Sequence, residues 1–353
     1  MSKFLRDFYA PLEPYTPGEQ LNDKKYIKLN TNESPFPPSP EVKRALSESA
    51  VNSLNLYSDP ELKALKDTVA EHFSLKRDNV FCGNGSDDVI AFAIMAFCSH
   101  GGELCCPDIT YSFYPVYCQL FGVNLTTIPL REDFTVNPDD YVGIGKNIII
   151  ANPNAPTGLA LSVDDVEKIV SSNPDNVVII DEAYVDFSSV TSVPLLKKYD
   201  NLLVTQTFSK SRSLAGLRLG FALGNSELIA DLEKLKYSFN PYNVNTLSIL
   251  AGSAALKDEP YYKDCIAKIV DTREKSKQLL SQVGFECLDS QSNFIFAKHN
   301  KIAAKQLYLS LKERGILVRY FNKPRISDYL RITVGTPEQM KTLAETVKEI
   351  AKE

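Results

Sequence analysis

The sequence has no tryptophan, and only three histidines and three methionines among 353 residues. So few histidines leave little room for a His-rich metal site, and no metal is expected. The seven cysteines include no CxxC pair, and Cys105 and Cys106 are adjacent in a strand-like run. They read as buried free thiols in a reducing compartment. Positive charge is not in excess: the formal net charge is −5, which argues against nucleic acid or an anionic membrane as the main partner. No apolar run approaches the roughly 20 residues of a membrane span. The opening stretch MSKFLRDFYAPLEPY has no apolar signal core, so a cytoplasmic location is expected. With 44% hydrophobic residues, a chain of this length can bury a large core, and two domains built as one unit are expected.

Proline marks the first boundary. TNESPFPPSP (31–40) contains four prolines, so residues 1–40 read as an extended arm. Helical periodicity follows over 41–50 and 60–74. Short apolar runs then alternate with helical segments: NVFCGN (79–84), ELCC (103–106), VNLTTI (123–128), NIIIA (147–151), VVII (177–180), LLVTQT (202–207) and GFAL (220–223). Most are continuous β-branched runs, the pattern of strands buried on both faces of a mainly parallel sheet. SDDVIAFAIMAFC (86–98) reads as a helix with Ser86 as N-cap. After about residue 226 the period is helical to about 282, broken at Pro241 and Pro260. The remainder reads as a smaller α+β unit with strands 294–298, 316–321 and 329–334 and helices 302–314 and 337–352. The expected fold class is α/β, with a large domain over 41–245 and a small one over 246–353.

The segment TFSKSRSLAGLRLGF (207–221) carries the strongest chemical signal. It sets Lys210 just past a buried strand, where an ammonium is costly but an amine forming an imine is useful. Ser209 and Arg218 would suit a phosphate dianion. The segment resembles the Schiff-base lysine signature of fold-type I pyridoxal phosphate (PLP) enzymes, aminotransferase class I/II, and the resemblance extends over essentially the whole chain. It implies that Lys210 carries the cofactor, with Thr207, Ser209 and Arg218 beside it.

Other segments agree. VVIIDEAYVDF (177–187) ends a buried strand in Asp181, where α/β sheets bind ligands. The resemblance implies that Asp181 pairs with the pyridine nitrogen and Tyr184 with the phenolic oxygen. GNGSDD (83–88) leads into a helix start, a natural phosphate site. The family likeness assigns Gly85, Ser86 and Asp87 to that phosphate, Tyr111 to the ring face, and Tyr57 to the phosphate of a neighbouring subunit, hence a homodimer. In NPNAPTG (152–158) the family's usual asparagine is replaced by Ala155. Either Asn154 takes that contact or Tyr184 holds the oxygen without it.

Arg319 in ILVRYF and Arg331 in YLRITVGT suit carboxylate or phosphate recognition. Together LEPYTPGEQ, KLNTNESPFPPSP, YSDP, GNGSDD, DEAYVDF and YLRITVGT are similar to the histidinol-phosphate aminotransferase family. That likeness implies a substrate pocket of Tyr15, Asn32, Arg319 and Arg331, accepting histidinol phosphate and then 2-oxoglutarate as small-molecule substrates. The other readings are an aromatic aminotransferase, a threonine-phosphate decarboxylase-like lyase and a PLP-binding module without catalysis.

Overall fold

In a computed structural model the chain is described over residues 2–21, 23–188 and 190–352. The arm is mostly irregular and contributes one short strand, β1 (Ile27–Lys28). Helix α1 (Pro40–Ala45) begins at Ser39, whose hydroxyl accepts the Val42 N–H, and proline occupies its first turn. Helices α2 (Glu48–Asn52) and α3 (Lys63–His72) follow.

Seven strands form the main sheet: β2 (Val80–Gly83), β3 (Glu103–Pro107), β4 (Asn124–Ile128), β5 (Asn147–Ala151), β6 (Val178–Asp181), β7 (Leu202–Thr207) and β8 (Gly220–Gly224). Their order is β2-β8-β7-β6-β5-β3-β4. Strands β3 to β7 pair in parallel, whereas β8 runs antiparallel to both β7 and β2. Strands β6 and β7 are buried throughout, as continuous β-branched runs require when helices cover both faces. The edge strand β4 is partly exposed, a departure from the doubly buried expectation.

Helices α4 (Ser86–Cys98), α5 (Tyr114–Phe121), α6 (Val163–Ser171), α7 (Ser226–Phe239) and α8 (Thr246–Lys257) belong to this unit. Successive strand residues serve opposite cores. Ile180 and Val204 pack with Val166, Ile169 and Ala251, while Ile179 and Leu203 pack with Ile90, Ala93 and Leu232. Ser86 is the first helical residue of α4 and not its cap; that position falls to Gly85, at φ 92°.

Helix α9 (Glu259–Gln282) leads into the small unit. There β9 (Phe285–Cys287), β10 (Phe294–His299), α10 (Ala304–Glu313), β11 (Ile316–Leu317), β12 (Arg319–Tyr320), β13 (Tyr329–Thr333) and α11 (Pro337–Ile350) follow. An antiparallel sheet of order β12-β13-β10-β9 forms one layer, and β11 pairs in parallel with β1 of the arm. The run 316–321 is thus two strands serving two sheets. The packing also moves the division between units. Ile249, Ala251 and Ala255 of α8 lie in the large core, Tyr262 of α9 does too, and Ile269 and Leu280 further along α9 lie in the small one. The change of core falls inside α9, past the expected boundary at 245/246.

Candidate active site

The carboxyl ends of β5, β6 and β7 face a cavity of about 530 Å³, the place where parallel α/β sheets bind ligands. Lys210 enters it from the loop after β7. Its Nζ donates to the Thr31 carbonyl at 3.2 Å and lies 5.7 Å from the Tyr184 ring centre. Asp181 closes β6 and is only 4% exposed. The Tyr114 hydroxyl donates to it at 2.7 Å, the Ala183 N–H at 3.2 Å and the Thr205 hydroxyl at 3.3 Å. No cation pairs with it among the described residues. Burial therefore outweighs these hydrogen bonds and pushes its carboxyl up to about 6. A carboxylate so placed is completed by a cationic ligand group.

An anion-binding corner lies across the cavity, where α4 begins. The Gly85 turn has positive φ, and a Cβ built there would stand 2.6 Å from the Arg218 guanidinium. Gly220 is equally constrained: its Cβ would stand 2.4 Å from the Ser86 nitrogen. These two glycines let β8, Arg218 and the start of α4 meet, with free N–H groups at the helix start. Arg218, itself at φ 50°, donates to Asp87 at 2.8 Å. The other Asp87 oxygen accepts from the Tyr111 hydroxyl at 2.9 Å. Thr207 donates to Ser209 Oγ at 3.0 Å, and both hydroxyls line the cavity.

The opposite wall comes from the arm and the small unit. Tyr15 stacks on Phe113 at 4.6 Å between ring centres, with Tyr111 at 6.2 Å. Arg319 and Arg331 are register partners across β12 and β13, so two like charges face each other, an arrangement unfavourable by itself. Arg319 donates to the Thr16 and Pro17 carbonyls, and Arg331 to the Asn30 carbonyl. Arg331 Nε has no hydrogen-bond partner among the described residues, and burial lowers the pKa of this guanidinium. An anion between the two arginines would relieve both conditions. A second lobe of about 540 Å³ shares Tyr15, Tyr111, Arg319 and Arg331, so the cleft continues outward.

The structure thus brings Lys210, Asp181, Tyr184, Tyr111, Ser86, Asp87, Thr207, Ser209, Arg218, Tyr15, Asn32, Arg319 and Arg331 to one cavity. It does not bring Asn154 there. Its amide nitrogen donates to the Ile109 carbonyl at 2.9 Å and to Thr157, and its oxygen accepts from Thr110. Ala155 lines the cavity instead. With its amide committed to Ile109, Thr157 and Thr110, Asn154 does not supply the amide that Ala155 lacks. Tyr57 lies on the surface, 84% exposed and stacked on Tyr242. Tyr114, Thr205 and the Thr31 carbonyl were missed from the sequence; Tyr114 and Asp181 are 67 residues apart and no spacing links them. Among the described residues no group of three or more His, Cys, Asp or Glu could hold a metal ion.

An amine, a buried carboxylate wanting a cation and an anion corner together fit pyridoxal phosphate, whose aldehyde, protonated ring nitrogen and phosphate they match. The chain belongs to the class I and II aminotransferases, whose sequence profile matches residues 24–347. It is a pyridoxal phosphate-dependent transaminase. Within that class it is 56% identical over 353 residues to the histidinol-phosphate aminotransferase of Brachyspira hyodysenteriae, with all of both chains covered. It is 50% identical to that of Marinomonas sp., covering 99% of this chain and all of the relative. The histidinol-phosphate aminotransferase of Sinorhizobium meliloti, solved in complex with pyridoxal-5'-phosphate, superposes with a TM-score of 0.90 at 24% identity over 99% of each chain. The L-threonine-O-3-phosphate decarboxylase of Porphyromonas gingivalis gives 0.81 at 21% identity, covering 93% of this chain and all of that one. The last two share the fold.

Proposed function

We propose that this protein transfers the amino group of L-histidinol phosphate to 2-oxoglutarate, giving imidazole-acetol phosphate and L-glutamate in histidine biosynthesis. The observation that carries the reading is the pair of facing arginines, Arg319 and Arg331, at the substrate end of the cavity. A doubly basic subsite suits a phosphate on one amino donor and a carboxylate on the other partner, which have this anionic end in common. The named relatives at 50% and 56% identity support the same substrate.

Bound pyridoxal phosphate supplies an electron sink for negative charge at the substrate Cα. Lys210 holds the cofactor and then moves the proton at that Cα, a general acid–base role worth typically 10²–10⁴-fold. Asp181 would hold the proton of the ring nitrogen, Tyr111 would pack on the ring and Tyr184 would bond the phenolic oxygen. The backbone turn at Gly85, Ser86 and Asp87, the hydroxyls of Thr207 and Ser209, and Arg218 would hold the phosphate. Tyr15 and Asn32 join the arginines around substrate.

The working unit is a homodimer in the cytoplasm, with Tyr57 completing the phosphate site of the partner subunit. In support, Val51, Leu54, Leu56, Tyr57, Phe239 and Tyr242 are all large and exposed. The test is a half-reaction panel in which histidinol phosphate, phenylalanine, tyrosine and threonine phosphate each meet the cofactor-loaded protein. Conversion of histidinol phosphate to its keto product well ahead of the others is expected. Efficient phenylalanine turnover without it, or carbon dioxide release from threonine phosphate, would overturn the assignment.

A further inference from the structure

Ala155 leaves one side of the cavity without an amide donor, and Asn154 does not replace it. Tyr184 remains, and one residue of the arm controls it. Asn32 is buried, sits at φ 56° and donates from its amide nitrogen to the Tyr184 hydroxyl at 2.9 Å.

The direction of that hydrogen bond is fixed by its neighbours. The Asn32 backbone N–H donates to Thr333 Oγ1 at 2.9 Å, so the Thr333 hydroxyl proton is free to go elsewhere. It goes to Asn32 Oδ1 at 3.0 Å. With Oδ1 committed as acceptor, the amide nitrogen must face Tyr184, and Tyr184 must accept. The phenolic proton of Tyr184 is then left to point into the cavity. The Asn293 amide holds the Asn32 carbonyl at 2.9 Å and pins the same residue from a third side.

We infer that Asn32 is a positioning residue that aims the Tyr184 hydroxyl proton at the cofactor, and so makes up for the donor that Ala155 cannot supply. This rests on the reading that Tyr184 faces the cofactor's phenolic oxygen. Accepting from Asn32 also makes the Tyr184 hydroxyl a stronger donor, as in any chain of hydrogen bonds.

A hydrogen bond donated to that oxygen favours its fully anionic form. It therefore lowers the pH at which the loaded protein loses the proton shared between that oxygen and the Lys210 nitrogen. The readout is the pH midpoint of the change in the visible absorption band. The groups facing Tyr184 that also carry or change charge are Lys210, Arg331, Tyr15 and Tyr111, and all stay in place in the variants below.

Asn32→Asp keeps shape and tolerates the positive φ, but its carboxylate can only accept, so it draws the Tyr184 proton out of the cavity. The midpoint is expected to rise by about one pH unit, the loss of one charge-assisted hydrogen bond. Tyr184→Phe should raise it by a similar amount, and the double variant no further than Tyr184→Phe alone. Asn32→Gly, which accepts the backbone conformation without adding charge, should move the midpoint the same way by less. An Asn32→Asp shift of equal size on the Tyr184→Phe background would show a plain charge effect and overturn the inference. So would a wild-type midpoint in Asn32→Gly. A wild-type midpoint in Tyr184→Phe would instead sink the placement of Tyr184 itself.

Discussion

Replacing Asp181 by Asn should make the cofactor-free protein more stable while disabling it. Burial raises this carboxyl from the ordinary aspartate range near 4 to about 6. Below about pH 4 it is protonated in folded and unfolded chains alike and costs nothing. As the pH rises from about 4 to about 6, the unfolded chain releases the proton first, and folding is penalised. Above about 6 the penalty is constant at about 3 kcal/mol, and at pH 5 it is about half of that. An amide at 181 keeps its one oxygen as acceptor for the Ala183 N–H and the Thr205 hydroxyl, turns its NH2 toward Tyr114, whose hydroxyl can accept from it, and removes the charge, so the penalty falls away. Equilibrium unfolding of the stripped proteins should show the variant ahead by about 3 kcal/mol at pH 8, and by about half as much at pH 5. Transamination should fall by roughly 10²–10⁴-fold, as for removal of one partner of a buried charge pair. A variant no more stable than wild type at pH 8, or with the same gain at both pH values, would refute the claim that Asp181 waits for a cation.

Three further outcomes are expected. Arg331→Met should lower kcat/KM for histidinol phosphate by roughly 30- to 150-fold, about 2–3 kcal/mol, and should narrow the preference over dephosphorylated histidinol. Gly220→Ala sets a Cβ against the backbone of Ser86 and Gly85, which cannot yield cheaply. It should cost about 1–3 kcal/mol in unfolding experiments and speed cofactor loss on dialysis. Mixing inactive Tyr57→Ala with inactive Lys210→Ala should restore part of the activity as subunits exchange, because a mixed dimer has one site with both residues; no recovery would place Tyr57 outside its partner's site.

Much of the site could be read before the fold was seen, because its chemistry sits at strand ends. A continuous apolar run that stops at Asp181, or at Lys210 three residues past β7, marks both the strand and the cavity it faces. Contacts between distant segments were not legible in the same way. Nothing in the sequence joins Tyr114 to Asp181 or Asn32 to Tyr184, since these pairs exist only once helix α5 and the arm have packed. The alanine at 155 was visible, but the direction of Asn154 depended on its bonds to Ile109 and Thr110 in a loop more than forty residues away. Likewise, ILVRYF is one apolar run by composition, yet its halves pair with the arm and with β13. The boundary expected at 245/246 assigns helix α8 to the small unit, although its small residues pack onto the large core.

The reversed direction of β8 has a consequence for the size of molecule the site accepts. A parallel neighbour to β7 would have required the chain to cross to the far end of the sheet and back. An antiparallel one lets residues 208–219 turn at the same end, so a single loop delivers both Lys210 and Arg218. Both ends of that loop are clamped by adjacent, buried strands, and its Ser211 is tied to Asp186. The span from amine to anion corner is therefore set like the jaws of a fixed gauge. A ligand must carry its carbonyl and its anion at that separation, and an aldehyde without the phosphate arm can engage one jaw only.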